Sequence, residues 1–156
     1  MQKQTRLSEA DKQAATILSL IDLRDKSILE LTLALLYIGE GFKGNSGTGM
    51  GNSDSLILKF FINVLKVCYD LDTSKISCEL HLRADQNTES VKKYWAEELH
   101  LPLKSFKSIS IDKRTVGSTT YPTYHGVCVI RCGNIAIQRR LISLANKYCR
   151  KILNEG

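Results

Sequence analysis

No stretch of this chain is apolar for long enough to cross a bilayer. The longest candidates, 29–38 and 56–69, are interrupted by polar residues and fall short of the roughly 20 residues a spanning helix needs. The opening MQKQTRLSEADKQ is polar and unlike a secretory signal. CxxC is missing as well. The five cysteines, Cys68, Cys78, Cys128, Cys132 and Cys149, are odd in number and irregularly spaced, which speaks against a zinc knuckle or a disulfide framework. Cys128 and Cys132 share one face of an expected strand, about 13 Å apart, too far to chelate one ion. The cysteines are expected to be small buried residues in a reducing, cytoplasmic setting. His81, His100 and His125 stand isolated, with no nucleophile–base pairing in view. Internal repeats and low-complexity tracts are absent.

What is there is ordinary globular material. A chain of 156 residues with 43% apolar and 24% charged content fits one domain with a sizeable core. The formal net charge of +6 favours a polyanionic partner, because basic side chains displace counterions condensed on phosphate backbones.

Along the chain, Ser8 and Asp11 mark a helix start, with a modest apolar stripe through Ala14, Leu18 and Ile21. Ser27 and Glu30 form a capping box for a second helix that ends near Glu40 and is apolar nearly all round. The glycine-rich segment 41–52 leaves room for a tight hairpin. A long helix over 55–69 exposes Lys59, Asn63 and Lys66 at helical spacing. Residues 76–83 alternate, with Ile76, Cys78, Leu80 and Leu82 on one side and Ser77, Glu79, His81 and Arg83 on the other, the pattern of a half-buried strand. A helix from Thr88 carries Val91, Trp95 and Leu99 on one side and stops before Pro102. Strands are expected over 106–111 and 125–132, joined by a polar loop. Asn134 caps a last helix that buries Ile137, Leu141, Leu144, Tyr148 and Ile152, and presents Arg139, Arg140, Lys147, Arg150 and Lys151 to solvent. The fold class this predicts is α+β: an antiparallel or mixed sheet in an α/β layer, with helices on one face and the other face open.

Within the second helix runs Leu33-Ala34-Leu35-Leu36-Tyr37-Ile38-Gly39-Glu40-Gly41. This resembles the nine-residue signature of the LAGLIDADG homing endonuclease-like family, through Leu33, Ala34, Leu36, Gly39, Glu40 and Gly41. The order of elements that follows also resembles the family's αββαββα core, with the helix around Trp95 as an insertion. The resemblance implies a helical arm over 1–26 and a LAGLIDADG-like domain over 27–156. It further implies a homodimer on double-stranded DNA, with Leu33, Leu36, Tyr37 and Gly39 at the dimer interface. Glu40 would be the catalytic acid, its carboxylate and the Gly39 carbonyl holding Mg²⁺ for phosphodiester hydrolysis. Leu35 departs from the family, whose third motif position is small, and the hairpin is short for base recognition.

Lys43, His81, Arg83, Lys107, Lys113, Arg114 and Arg131 lie at hairpin, strand or loop positions suited to lining the open face as phosphate contacts. Val127 and Val129 on that face argue against dense contacts to base edges. A DNA-binding transcription regulator or accessory protein without nuclease activity, and a protein-interaction domain that only dimerises, are the competing expectations.

Overall fold

The computed structural model describes residues 2–155. Five helices, α1 (Gln2–Ser19), α2 (Lys26–Glu40), α3 (Ser55–Tyr69), α4 (Thr88–Leu99) and α5 (Ile135–Glu155), combine with four strands, β1 (Gly49–Asn52), β2 (Ser77–Arg83), β3 (Phe106–Asp112) and β4 (Val127–Arg131). The sheet order is β1-β4-β2-β3. β4 pairs antiparallel with both β1 and β2, while β2 and β3 run parallel. The parallel pair needs a long crossover, and α4 supplies it. The chain is therefore a mixed α+β fold with an open mixed sheet.

Strand alternation assigns the two sheet faces. Met50, Cys78, Leu80, Leu82, Cys128 and Ile130 are at most 2% exposed and join one core cluster with Leu33 and Tyr37 of α2, Phe61 of α3, Trp95 of α4 and Leu141 of α5. All four of these helices thus close the same face. The spacing of Val91, Trp95 and Leu99 in α4, all buried, and of exposed Lys59, Asn63 and Lys66 in α3 follows the helical period. Asp54 caps α3 by accepting from the Leu56 amide, and Asn134 caps α5 by accepting from Ala136.

The end of α2 is tied to the hairpin by side chains. Tyr37, fully buried and stacked at 6.3 Å on Phe61, donates from its hydroxyl to the Phe42 carbonyl at 2.7 Å and accepts from the Gly49 amide at 3.2 Å. Gly41 is required here, because a Cβ would stand 2.5 Å from the Tyr37 ring. Gln138 of α5 donates from Nε2 to the carbonyls of Phe42, Gly44 and Gly47, and the Thr48 hydroxyl bonds the Asn134 carbonyl. A loop short of regular structure thereby has its buried carbonyls satisfied.

Several expectations need correction. The cap of α2 is Asp25, whose carboxylate accepts from the Ser27 amide; Glu30 is drawn instead to Tyr69 and Arg140. Helix α1 starts at Gln2, ahead of Ser8, and buries none of its residues. In α5, Ile137 and Leu141 are buried, but Tyr148 is 38% and Ile152 56% exposed. With 21 residues against the 15 of α2, α5 outruns the helix it packs on. Burial holds for Cys78, Cys128 and Cys132, whereas Cys68 is half-buried and Cys149 exposed. Among the described residues no helix is long and apolar enough to cross a membrane.

Candidate nucleic-acid interface

The face opposite the helices is where the strands' other side chains emerge. On β2 these are Ser77, Glu79, His81 and Arg83, each at least partly exposed. Register places Arg131 beside Ser77, Val129 beside Glu79, and Val127 beside His81 on β4. On the other flank, Ser108, Ser110 and Asp112 of β3 lie beside Glu79, His81 and Arg83. Gly49 and Gly51 occupy the corresponding positions of β1, so that edge is smooth, and a Cβ on Gly51 would meet Val129 at 3.1 Å.

Arg131 and Arg83 mark opposite ends of this face, about 20 Å apart at the usual rise per strand residue. The Arg131 guanidinium lies 4.8 Å over the Phe42 ring and makes a long 3.4 Å contact with Ser46. Arg83 donates from Nε to the Thr120 hydroxyl at 2.8 Å and forms no ion pair with a described residue. Between them His81 faces Glu79 through Nε2 at 3.1 Å and Ser110 through Nδ1 at 3.2 Å. Glu79 and Asp112 temper the positive charge, so the face is polar with cationic ends rather than uniformly basic.

The other expected contacts are more scattered. Lys43 folds back to the Gly41 carbonyl at 3.1 Å, closing the end of α2. Lys107 is exposed on β3 at a register shift opposite Cys78 and Glu79. Lys113 is exposed in the turn after β3, and Arg114 grips Asp112 with two bonds of 2.9 Å. That pairing holds the Asp112 carboxyl below the ordinary carboxylate range. His125, the first residue of the expected last strand, lies before β4 and turns to the helices, its ring stacked at 3.6 Å on Tyr94. Gly126, at a φ of 72°, breaks the alternation there; a Cβ would sit 2.6 Å from the His81 carbonyl.

The motif helix divides. Leu33 and Tyr37 are fully buried in the chain's own core, because α3 and α5 already pack on those sides of α2. Leu36 is half-buried, and Leu35, Gly39 and Glu40 are exposed. The surface of α2 open to a second copy is therefore Leu35, Leu36 and Gly39, with open space where a Gly39 Cβ would stand. Gly41 pairs with Met50 at the sheet edge, so Glu40 stands at the junction of α2 and that edge. It forms no hydrogen bond or ion pair with a described residue.

A divalent ion on Glu40 and the Gly39 carbonyl would have one carboxylate and one carbonyl from this chain. Among the described residues, no group of three or more His, Cys, Asp or Glu is assembled for a metal. Magnesium keeps several waters yet draws on one or two carboxylates, and a single exposed one is a poor resident site. One chain supplies half of the donor set that the resemblance implies, the other half being Glu40 of a second copy.

Sequence reasoning missed Phe42 as the platform under Arg131, and missed the pocket that Tyr121 and Tyr124 build beside Arg83. The only signal for the latter was the clustering of Thr and Tyr in the loop TTYPTY. Compared with models of protein families, with curated proteins and with solved structures, the chain matches none.

Proposed function

We propose that this protein is a DNA-binding module of LAGLIDADG-like architecture that works as a homodimer and lays the open sheet face on double-stranded DNA. The observation that carries the reading is the one-sided sheet: helices close one face, while the other presents polar side chains with Arg131 and Arg83 at its ends. At about 20 Å apart, the two arginines can reach inward to phosphates flanking a major groove about 12 Å wide. Half-buried Val127 is the apolar side chain between them with surface left to meet a thymine methyl group, since Val129 is buried. In the proposed dimer, α2 meets its symmetry mate through Leu35, Leu36 and Gly39, matching a roughly palindromic site.

Binding without cleavage has the stronger support of the two activities this architecture admits. Glu40 is a lone carboxylate in one chain, and cleavage requires a second copy to bring its own Glu40 alongside. The test is a titration of labelled duplex at rising salt, with Mg²⁺ present and the products followed for hours. The expected result is binding that weakens steeply with salt, with intact DNA. Lack of binding at low salt removes the proposal and leaves a protein-interaction domain; cutting that Glu40→Gln abolishes turns it into a nuclease.

A further inference from the structure

A pocket of about 420 Å³ opens at the Arg83 end of the sheet, lined by Arg83, Thr119, Thr120, Tyr121 and Tyr124. Its volume lies within the range of small-molecule sites. Its wall is part of the long connection between β3 and β4, held in place by bonds from distant residues. Both carboxylate oxygens of Asp85 accept from Thr120, one from its amide at 2.7 Å and one from its hydroxyl. The Ala84 amide donates to the Thr115 hydroxyl at 2.8 Å, and Gln86 donates to the Tyr124 carbonyl at 2.8 Å. Trp95 anchors the far end by donating to the His125 carbonyl at 2.8 Å. The loop is a built wall.

Charge and shape together select the ligand. The Thr120 hydroxyl and amide, with Arg83 nearby, keep the Asp85 carboxyl below its ordinary range. Asp85 and Asp112 offset part of the charge of Arg83 and Arg114, so the pocket mouth has less charge to offer a phosphate than the Arg131 end of the face. It does have an aromatic platform, since the Tyr121 ring is 81% exposed, and Tyr124 forms a second wall. The two Nη groups of Arg83 form no ion pair with a described residue, and the Thr119 hydroxyl makes no hydrogen bond to one. A neutral heteroaromatic ring with acceptors on one edge satisfies all of these.

We infer that this pocket receives one unpaired nucleobase of a bound nucleic acid, stacked on Tyr121 and read on its edge by Arg83. Guanine fits best, because its O6 and N7 match the two parallel donors of a guanidinium. The inference rests on the nucleic-acid reading above and adds the feature of the DNA that the site takes. A fully stacked duplex has no base to offer, so the protein discriminates in favour of a bulge, a mismatch or a strand end.

The experiment compares two labelled probes by fluorescence anisotropy: a perfect duplex and the same duplex with one bulged guanosine. Wild type is expected to bind the bulged probe about tenfold more tightly, the scale of one base–aromatic stack. Tyr121→Ala, at an exposed position and checked for folding by circular dichroism, should abolish that preference and leave the perfect duplex bound as before. Arg83→Gln should reduce the advantage of guanine over a bulged thymidine. Equal affinity for the two probes, or a preference that Tyr121→Ala retains, overturns the inference while the duplex reading stands. Binding confined to the bulged probe and dependent on Tyr121 upholds the pocket and removes the duplex reading. Failure to bind either probe overturns both.

Discussion

Arg140 of α5 meets Glu30 of α2 fork to fork, its Nη2 2.9 Å from one carboxylate oxygen and its Nε in contact with the other. Beneath the pair, Tyr69 of α3 donates its hydroxyl to the same carboxylate and lies under the guanidinium at 5.4 Å. Three helices are pinned at one point on the layer that backs the sheet. Burial alone would raise the Glu30 pKa, but the hydrogen bonds from Arg140 and Tyr69 outweigh it and hold the carboxyl below its ordinary value.

That depression sets a pH dependence. A carboxyl with a folded pKa below its unfolded one stabilises the fold above the unfolded value, about 4.3, and this contribution is lost as pH falls through the folded value. Thermal unfolding of wild type and Glu30→Gln should therefore differ most near about pH 7, with the variant less stable. The gap should close below about pH 4. A gap that is unchanged at low pH contradicts the assignment.

Gln138 gives a stability test of a different kind. Its Nε2 serves three carbonyls of the loop that follows the motif helix, and it is 3% exposed. Truncation to Ala leaves the Gly44 and Gly47 carbonyls without this donor, while Phe42 keeps the Tyr37 hydroxyl, and opens a void, a cost of about 2–4 kcal/mol. A urea titration measures it, and a loss under about 0.5 kcal/mol, the scale of a neutral surface substitution, shows that the loop holds itself.

Much of the layer was legible because periodicity is local. Val91, Trp95 and Leu99 fall on one side of any helix drawn through them, and β2 alternates residue by residue. What escaped depends on distant partners. Ser27 looked like a cap until Asp25 took the role, and Glu30, apparently the box partner, faces α3 and α5 instead. Tyr148 and Ile152 continue the apolar stripe of α5, but nothing in that stripe states that α2 ends too soon to cover them. Arg140, counted with a solvated basic run, is paired. The Tyr121 pocket exists because Asp85 holds Thr120 from 35 residues away, a contact with no local signature.

The proposed dimer turns on Leu35, which is 36% exposed in the chain alone. A charge there is tolerated by a monomer but not by a seam between two copies of α2. Leu35→Arg should give a monomer in sedimentation equilibrium where wild type sediments as a dimer, and should weaken DNA binding about tenfold or more as the second half-site is lost. A monomeric wild type contradicts the dimer, and a dimeric Leu35→Arg moves its seam elsewhere.

The most direct test of the whole account compares the two sides of the molecule. Duplex affinity would be measured for wild type, for Arg83→Ala/Arg131→Ala on the open face, and for Arg139→Ala/Lys147→Ala on α5. Both double variants remove two positive charges, so net charge is matched. The account predicts that the sheet variant loses about tenfold or more in affinity, with a salt slope shallower by about two, while the α5 variant stays near wild type. Loss confined to the α5 variant would contradict it.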